Sequence, residues 1–422
     1  MTKTRLTIEA LGAQGDGIAH HDGHSVFLPG TLPGEIVDID FDDDGVGEVE
    51  LIETSPKRVE PPCPHFGVCG GCSMQHVDFD TYVAWKRDIV VNAFAQAGLD
   101  VDIDPLVTCA RHERRRVTLT ASNTAEGIIV GFNEEGSNTV LALTDCTVMT
   151  PGIFELLPTL KKIAATCVPP GKTASIIVLE TETGYDCAFE AKHAIADDMR
   201  RGITKVIDTT SIIRLSFNGE IIIASAQPII RFDAIACTPP PGGFTQAVKS
   251  IEDAMAGLVT GHLGKSKMVV DLFSGSGTFT LPLARKCAVH AIEGEAAAVQ
   301  SLERAWRESA ASEKLRTVTI EKRDLFRSPL TRVELNDYRG LVFDPPRAGA
   351  QDQMAAIAKS TIETIAAVSC NPTTLVRDLA VLIDAGFSLE KVVPLDQFLW
   401  TPHVEVVALL SRRNKRNHRS FG

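Results

Sequence analysis

Beginning near residue 245, the chain falls into a repeating pattern that few folds can satisfy. Short apolar segments (KMVVDLF, AVHAIE, VTIEKRD, LVFDPP, IAAVSC and EKVVPL) alternate with stretches long enough to form helices. Strands apolar on both faces cannot lie at a solvated surface, and helices between them supply the crossovers that parallel pairing needs. The expected fold class is α/β, a Rossmann-like, doubly wound parallel sheet over residues 245–422. The last apolar run, HVEVVALLS, is expected to add an antiparallel strand at the edge of that sheet.

The first half reads differently. Residues 1–57 carry the β-rich runs RLTIEAL, SVFLPG, EIVDIDF and GEVELIE between Gly, Asp and Pro turn signals. That spacing predicts a small five-stranded barrel of the OB kind, a frequent oligonucleotide binder. The acidic run Asp42-Asp43-Asp44 is expected on a loop turned away from nucleic acid. A Pro/Gly/Cys knot, PPCPHFGVCGGCSMQH (61–76), opens a second unit over 58–244. A helix is expected from Tyr82 to Ala97 on the apolar positions Val83, Val90, Val91 and Phe94. The strands RRVTLTA, GIIVGF, SIIVLET, IIRLSF and EIIIASA, interrupted by a helical pattern around 152–166, make this unit a mixed α/β central domain.

At 422 residues the chain fits two or three domains. No apolar run is long enough to span a bilayer, and MTKTRLTIEALG lacks the core of a secretory signal, so a cytoplasmic protein is expected. In a reducing compartment, Cys63, Cys69 and Cys72 read as ligands of a metal or cluster rather than as disulfide partners. The net charge of -12 speaks against a nucleic-acid binder, yet whole-chain charge says little about a local groove. Basic residues gather at Arg111, Arg114, Arg115 and Arg116, and again at Arg412, Arg413, Lys415, Arg416 and Arg419.

Ligands of an open α/β sheet bind beyond the carboxyl ends of its strands, and the informative residues of the second half all fall there. Asp271-Leu-Phe-Ser-Gly-Ser-Gly277 ends the first strand with glycines that permit a tight turn and close backbone approach. Glu293 ends the second, where a carboxylate can accept both ribose hydroxyls, and Asp324 ends the third near the adenine position. The loop lacks the third glycine of G-x-G-x-x-G, which suits S-adenosylmethionine better than a dinucleotide. Asp344-Pro345-Pro346-Arg347 follows the fourth strand. Enzymes that methylate exocyclic amines usually place an aromatic residue after such a turn, and here Arg347 stands instead.

The fifth strand delivers Ser369-Cys370-Asn371-Pro372. Carbon 5 of uracil is too weak a nucleophile to take a methyl group unaided. A thiolate added at carbon 6 turns the ring into an enolate that can attack, and a base must then remove the carbon-5 proton. Cys370 is the candidate nucleophile and Glu405 the candidate base. A helix starting near Asn371 is expected to lower the thiol pKa through its dipole.

With these residues in view, the sequence resembles the RNA 5-methyluridine methyltransferase family almost from end to end. The resemblance is carried by DLFSGSGTFTLPLA (271–284), FDPPRAG (343–349), VSCNPTTLVRDL (368–379) and HVE (403–405). It implies a class I S-adenosylmethionine-dependent domain with Cys370 as nucleophile and Glu405 as base. It also places Gln246, Phe273, Thr278, Glu293, Asp324 and Asp344 at or beside the cofactor. Cys63, Cys69 and Cys72 match the C-x5-C-x2-C of members that hold a [4Fe–4S] cluster, with Cys146 as the fourth ligand; four thiolates could also bind zinc. The N-terminal barrel resembles the TRAM domain, and the arginines at 114–116 match a strand that meets RNA phosphates in the family.

This architecture implies a monomeric enzyme acting on a uridine of 23S ribosomal RNA, at a site of the U1939 type. A U747-type site or the tRNA T-loop remains as an alternative address for the same chemistry. The chain departs from the family in reading Gln246-Ala-Val248 where Gln-x-Asn is frequent, Thr278 where Asn is frequent, and His112-Glu113 where an aromatic usually precedes the arginines. Cytosine methylation would need its cysteine in a Pro-Cys or Thr-Cys motif, which Cys370 lacks. A non-catalytic RNA-binding protein would have no use for Cys370, Glu405, Asp344 and the glycine loop together.

Overall fold

The structure is a computed structural model that describes residues 3–42, 45–207 and 210–412. Asp43 and Asp44 of the acidic run, and Arg413, Lys415, Arg416 and Arg419 of the basic tail, lie outside the described residues.

The second half is organised by one eight-stranded sheet. Its parallel part runs in the order Val318–Lys322, Ala288–Glu293, Met268–Leu272, Gly340–Phe343, Thr364–Ser369. Gly340–Phe343 is buried at every position, as a strand covered on both faces must be. The helices Lys249–Leu263, Ala296–Ser309 and Pro372–Asp384 pack on this sheet. The order reverses at Met268–Leu272, whose neighbours lead away in opposite directions, and a crevice opens at such a switch point.

One expectation is corrected. The final strand Glu405–Arg412 is antiparallel, but it lies inside the sheet, between Thr364–Ser369 and Phe387–Asp396. The edge is taken by the two-residue strand Val107–Thr108, which pairs in parallel with Leu395 and Asp396. A strand such as EVVALLS, with six consecutive buried residues, would expose too much apolar surface at an edge.

Among the described residues, the N-terminal unit has six strands rather than five, arranged as two three-stranded antiparallel sheets. Thr4–Thr7, Ile36–Asp42 and Gly45–Glu53 form one, and Ala10–Leu11, Gly17–His21 and His24–Leu28 form the other. Leu6, Ile8, Ala19, Leu28, Val37 and Ile39 fill the space between them. Gly17 is obligatory there, because a Cβ would stand 2.0 Å from the Thr31 hydroxyl.

The central unit is a seven-stranded sheet that contains the anticipated strands and two others, Val140–Ala142 and Gly184–Ala191. Helix Leu157–Cys167 covers it where a helical pattern is expected, and pairs with a second helix, Asp197–Ile207, that the sequence reading does not anticipate. The helix expected over 82–97 spans Phe79–Gln96. Asp78 caps it, its carboxylate accepting the Thr81 N–H at 3.1 Å. Tyr82, Trp85, Lys86, Val90 and Phe94 are its buried face.

Candidate active site and cysteine cavity

A cavity of about 550 Å³ opens at the switch point, lined by Gln246, Phe273, Thr278, Glu293, Asp324, Asp344, Cys370 and Glu405 together. These residues are spread over 160 positions, and the sheet is what gathers them. Phe273 leaves the first strand with φ +62, a left-handed conformation rare outside glycine. The glycine loop then turns back so that Gly275 N–H donates to one Glu293 carboxylate oxygen at 2.9 Å, while Glu295 N–H donates to the other at 2.8 Å. Gly277 admits no side chain, since a Cβ would meet Leu302 at 2.6 Å. Asp324 accepts the Phe326 N–H at 3.0 Å. The Phe326 ring stands 5.4 Å from that of Phe273, which makes it a cavity wall that no sequence motif marks.

The reacting end is built by antiparallel pairing. Ser369 faces Val406 in register. The residues just beyond that pair, Cys370 and Glu405, therefore come to the same end of the sheet. Asp344 arrives from the neighbouring parallel strand, its N–H bonded to Leu272 C=O at 3.3 Å. Loss of hydration, then the neighbouring Glu405 and Asp271, hold Asp344 well above the usual carboxylate range. Burial pushes Glu405 up to about 7 and Asp271 up to about 7. Asp271 is fully buried and accepts the Thr280 hydroxyl at 2.5 Å.

Cys370 corrects another expectation. Asn371 does cap a helix, Pro372–Asp384, with its side chain accepting the Thr373 N–H at 3.1 Å. Burial and the nearby Glu405 and Asp344 nevertheless push the Cys370 thiol up to about 11, with Arg347 opposing them. Desolvation and the two neighbouring carboxylates set the direction here.

Gln397 stands beside Glu405 and was not foreseen. Its side chain bonds Glu405 at 2.8 Å, Gln246 at 2.6 Å and the Ala247 N–H at 2.9 Å. No motif contains it, so only the fold could reveal it. Arg347 was noted only for what it excludes. Its guanidinium reaches the ring nitrogens of His403 at 3.0 and 3.1 Å.

Cys370, Arg347 and His403 also line a second, larger groove of about 810 Å³. Its far wall comes from the N-terminal unit (Ala10 to Gln14) and from the helix Phe79–Gln96. Cys370 thus stands between two openings, one at the glycine loop and one facing the barrel.

The four expected ligands Cys63, Cys69, Cys72 and Cys146 line a third cavity of about 690 Å³. His65 ties its two sides together, accepting the Thr144 N–H at 2.8 Å. Among the described residues, no group of three or more His, Cys, Asp or Glu side chains is placed to hold a metal ion. The central arginines are largely engaged within the protein. Arg115 pairs with the buried Glu252 at 2.9 Å, while Arg111, Arg114 and Arg116 lie over the rings of Trp400, Phe398 and Phe244. Among the described residues, no helix is long and apolar enough to cross a membrane.

Comparison with known proteins agrees with this fold. The family model described as tRNA (Uracil-5-)-methyltransferase matches residues 235–413, and that of the TRAM domain matches residues 2–44. A protein of Rhizobium meliloti (strain 1021), named an uncharacterized RNA methyltransferase, is 44% identical over 98% of this chain and 100% of its own length. The 23S rRNA (uracil(1939)-C(5))-methyltransferase RlmD of Shewanella halifaxensis is 30% identical over 98% of this chain and 96% of its own. The solved structure of the Pyrococcus abyssi tRNA (uracil-54, C5)-methyltransferase with S-adenosyl-L-homocysteine has the same fold. Its TM-score is 0.76 at 22% identity, covering 96% of this chain and 99% of that one.

Proposed function

We propose that this chain, which belongs to the family of S-adenosylmethionine-dependent RNA (uracil-5-)-methyltransferases, methylates its uridine through a covalent adduct on Cys370. The observation that carries the reading is the position of Cys370 on the walls of both the glycine-loop cavity and the barrel-side groove. A flipped base reaching in from the groove would meet the thiol and the methyl donor at one point, as chemistry on carbons 5 and 6 of an unstacked ring requires.

S-adenosylmethionine supplies an electrophilic methyl group when bound. Gln246, Phe273, Thr278, Glu293, Asp324 and Asp344 are the residues that would hold or border it. The Glu293 carboxylate is already fixed by two backbone N–H groups, in the manner of a ribose anchor. The Cys370 thiolate adds to carbon 6, and Glu405 takes the proton from carbon 5 so that the thiolate can leave. Arg347, exposed at the rim and opposing the rise of the Cys370 pKa, favours the thiolate.

The [4Fe–4S] cluster is part of the same reading. Its support is the gathering of Cys63, Cys69, Cys72 and Cys146 around one cavity and the spacing of the first three. A uridine of 23S ribosomal RNA is the proposed target, supported by the similarity to the Shewanella halifaxensis enzyme. The test is incubation of anaerobically purified protein with labelled S-adenosylmethionine and either 23S rRNA or tRNA, followed by digestion to nucleosides. The expected product is 5-methyluridine in 23S rRNA, from protein carrying about four irons per chain. Product in tRNA alone would move the target, no product would overturn the reading, and iron-free protein with bound zinc would overturn the cluster.

A further inference from the structure

We propose that Gln397 is a positioning residue that fixes the sense of the Gln246 amide, so that Gln246 donates an N–H to the ring carbonyl beside the methylated carbon. This rests on the uracil reading above and adds to it the group that recognises uracil and the residue that aims it.

One group in this cluster can only donate. The backbone N–H of Ala247 lies 2.9 Å from one end of the Gln397 carboxamide, so that end is the oxygen. The other end is then the nitrogen, which only donates. It reaches Glu405 Oε1 at 2.8 Å and the Gln246 side chain at 2.6 Å. The Gln246 atom that receives it must be the oxygen. What remains of the Gln246 amide is its nitrogen, on a side chain that lines the same cavity as Cys370. Gln246, Gln397 and Glu405 are 2%, 1% and 4% exposed, so water does not scramble the chain of donors. Val248, where the family frequently has Asn, has no amide to offer. Gln397 supplies one from a different loop.

The chemistry needs a donor at that place. When the Cys370 thiolate bonds to carbon 6, the electron pair of the carbon 5–carbon 6 double bond moves toward carbon 4, and negative charge collects on its oxygen. An N–H fixed beforehand stabilises that charge as it develops. Carbon 5 then bonds the methyl group, and the carbon–sulfur bond of the sulfonium breaks. Glu405 takes the carbon-5 proton, the pair from that C–H bond re-forms the double bond, and the carbon 6–sulfur bond breaks to release the thiolate. Cytosine carries an amino group at carbon 4, which would set donor against donor at Gln246.

The same bond acts on the base. Glu405 is faced by Asp344 and Cys370 from the neighbouring strands, by Arg347 at the rim and by Lys86 behind it. Gln397 donates the hydrogen bond that lowers its pKa. Removing that donor shifts Glu405 further toward its protonated form.

Gln397→Met deletes both ends of the amide at nearly constant volume. Methylation of 23S rRNA, and release of the carbon-5 proton from tritiated uridine in that RNA, are followed across about pH 5.5 to 9. Turnover is expected to fall about tenfold or more, with KM for S-adenosylmethionine nearly unchanged, as for loss of one transition-state donor. The acid limb of proton release is expected to move to higher pH. The double variant Gln246→Met with Gln397→Met is expected to lose less than the two separate losses combined. If Gln397→Met does not fold, Gln397→Glu keeps an acceptor for Ala247 but offers Glu405 no amide donor, and gives the same two readouts. Wild-type product together with an unchanged rate and pH profile in the variant would overturn the role of Gln397 alone. A wild-type enzyme that makes no 5-methyluridine from any uridine RNA would remove the uracil reading beneath it.

Discussion

Asp344 and Glu405 line the cavity proposed for the methyl donor, Asp271 acts on Asp344 from the first strand, and each of the three has its pKa raised above the ordinary carboxylate value. A folded-state pKa above the unfolded one means stability that is present at low pH and lost as pH rises toward the folded value. For Asp271 and Glu405 that window runs from the ordinary carboxylate range to about 7. Above it the free protein carries unfavourable charge that a bound cation would offset. Asp344→Asn is therefore expected to abolish methylation while raising the unfolding free energy of the ligand-free protein at pH 8 by about 1–3 kcal/mol. Urea unfolding at pH 8 and at pH 5 checks this, because the gain must shrink at pH 5, where the wild-type carboxyl is closer to neutral. A loss of stability at pH 8 would show that Asp344 is compensated in a way the surrounding groups do not suggest. These carboxylates were legible in the sequence because each lies in a motif near one end of a strand. Gln397 and Phe326 were not, since a glutamine or phenylalanine in a loop gains meaning only from what lies opposite.

Among the elements, the segment 396–402 carries more than its length suggests. It follows strand Phe387–Asp396, delivers Gln397 to Glu405, and lays Phe398 and Trp400 beneath Arg114 and Arg111. A fully buried ion pair holds its start. Lys86 Nζ lies 2.5 Å from Asp396, Tyr82 OH donates to the same carboxylate at 2.5 Å, and Trp400 N–H returns to Tyr82 at 2.8 Å. The Trp400 carbonyl accepts N–H bonds from Ser73 and Met74 at 2.8 and 3.1 Å, which joins the cysteine segment to the active-site loop. Lys86→Met leaves Asp396 charged and buried without its cation, which costs about 3–5 kcal/mol. Chemical denaturation is expected to show that loss, and Lys86→Met combined with Asp396→Leu to recover part of it. Equal stability of the single variant and wild type would contradict the role given to the pair.

The parallel strands were legible because their apolar runs have no other home. The interior place of Glu405–Arg412 was not, because its own pattern cannot say that Val107–Thr108, two residues from a distant segment, will cover the next strand. Helix Asp197–Ile207 was not anticipated, although Met199, Ile203, Val206 and Ile207 mark one face of it at helical spacing.

For the whole molecule, the architecture brings separate units of the chain to one groove. The N-terminal unit, the helix Phe79–Gln96 and the end of the eight-stranded sheet line one groove, and Cys370 is among its lining residues. The order of the three units was legible from composition and motif, while their convergence on a shared groove was not, because nothing local encodes which surfaces will face each other. The central claim, that Cys370 joins the methyl-donor cavity to the RNA groove as a nucleophile, is tested most directly by trapping. Substrate RNA containing 5-fluorouridine has no carbon-5 proton for Glu405 to remove, so the adduct cannot resolve. With S-adenosylmethionine present, wild-type protein is expected to give an RNA-linked species stable to denaturation. Peptide mass spectrometry should place the modification on Cys370, and Cys370→Ala should give none. A wild-type enzyme that methylates uridine yet forms no such adduct, or forms it on another cysteine, would contradict the account.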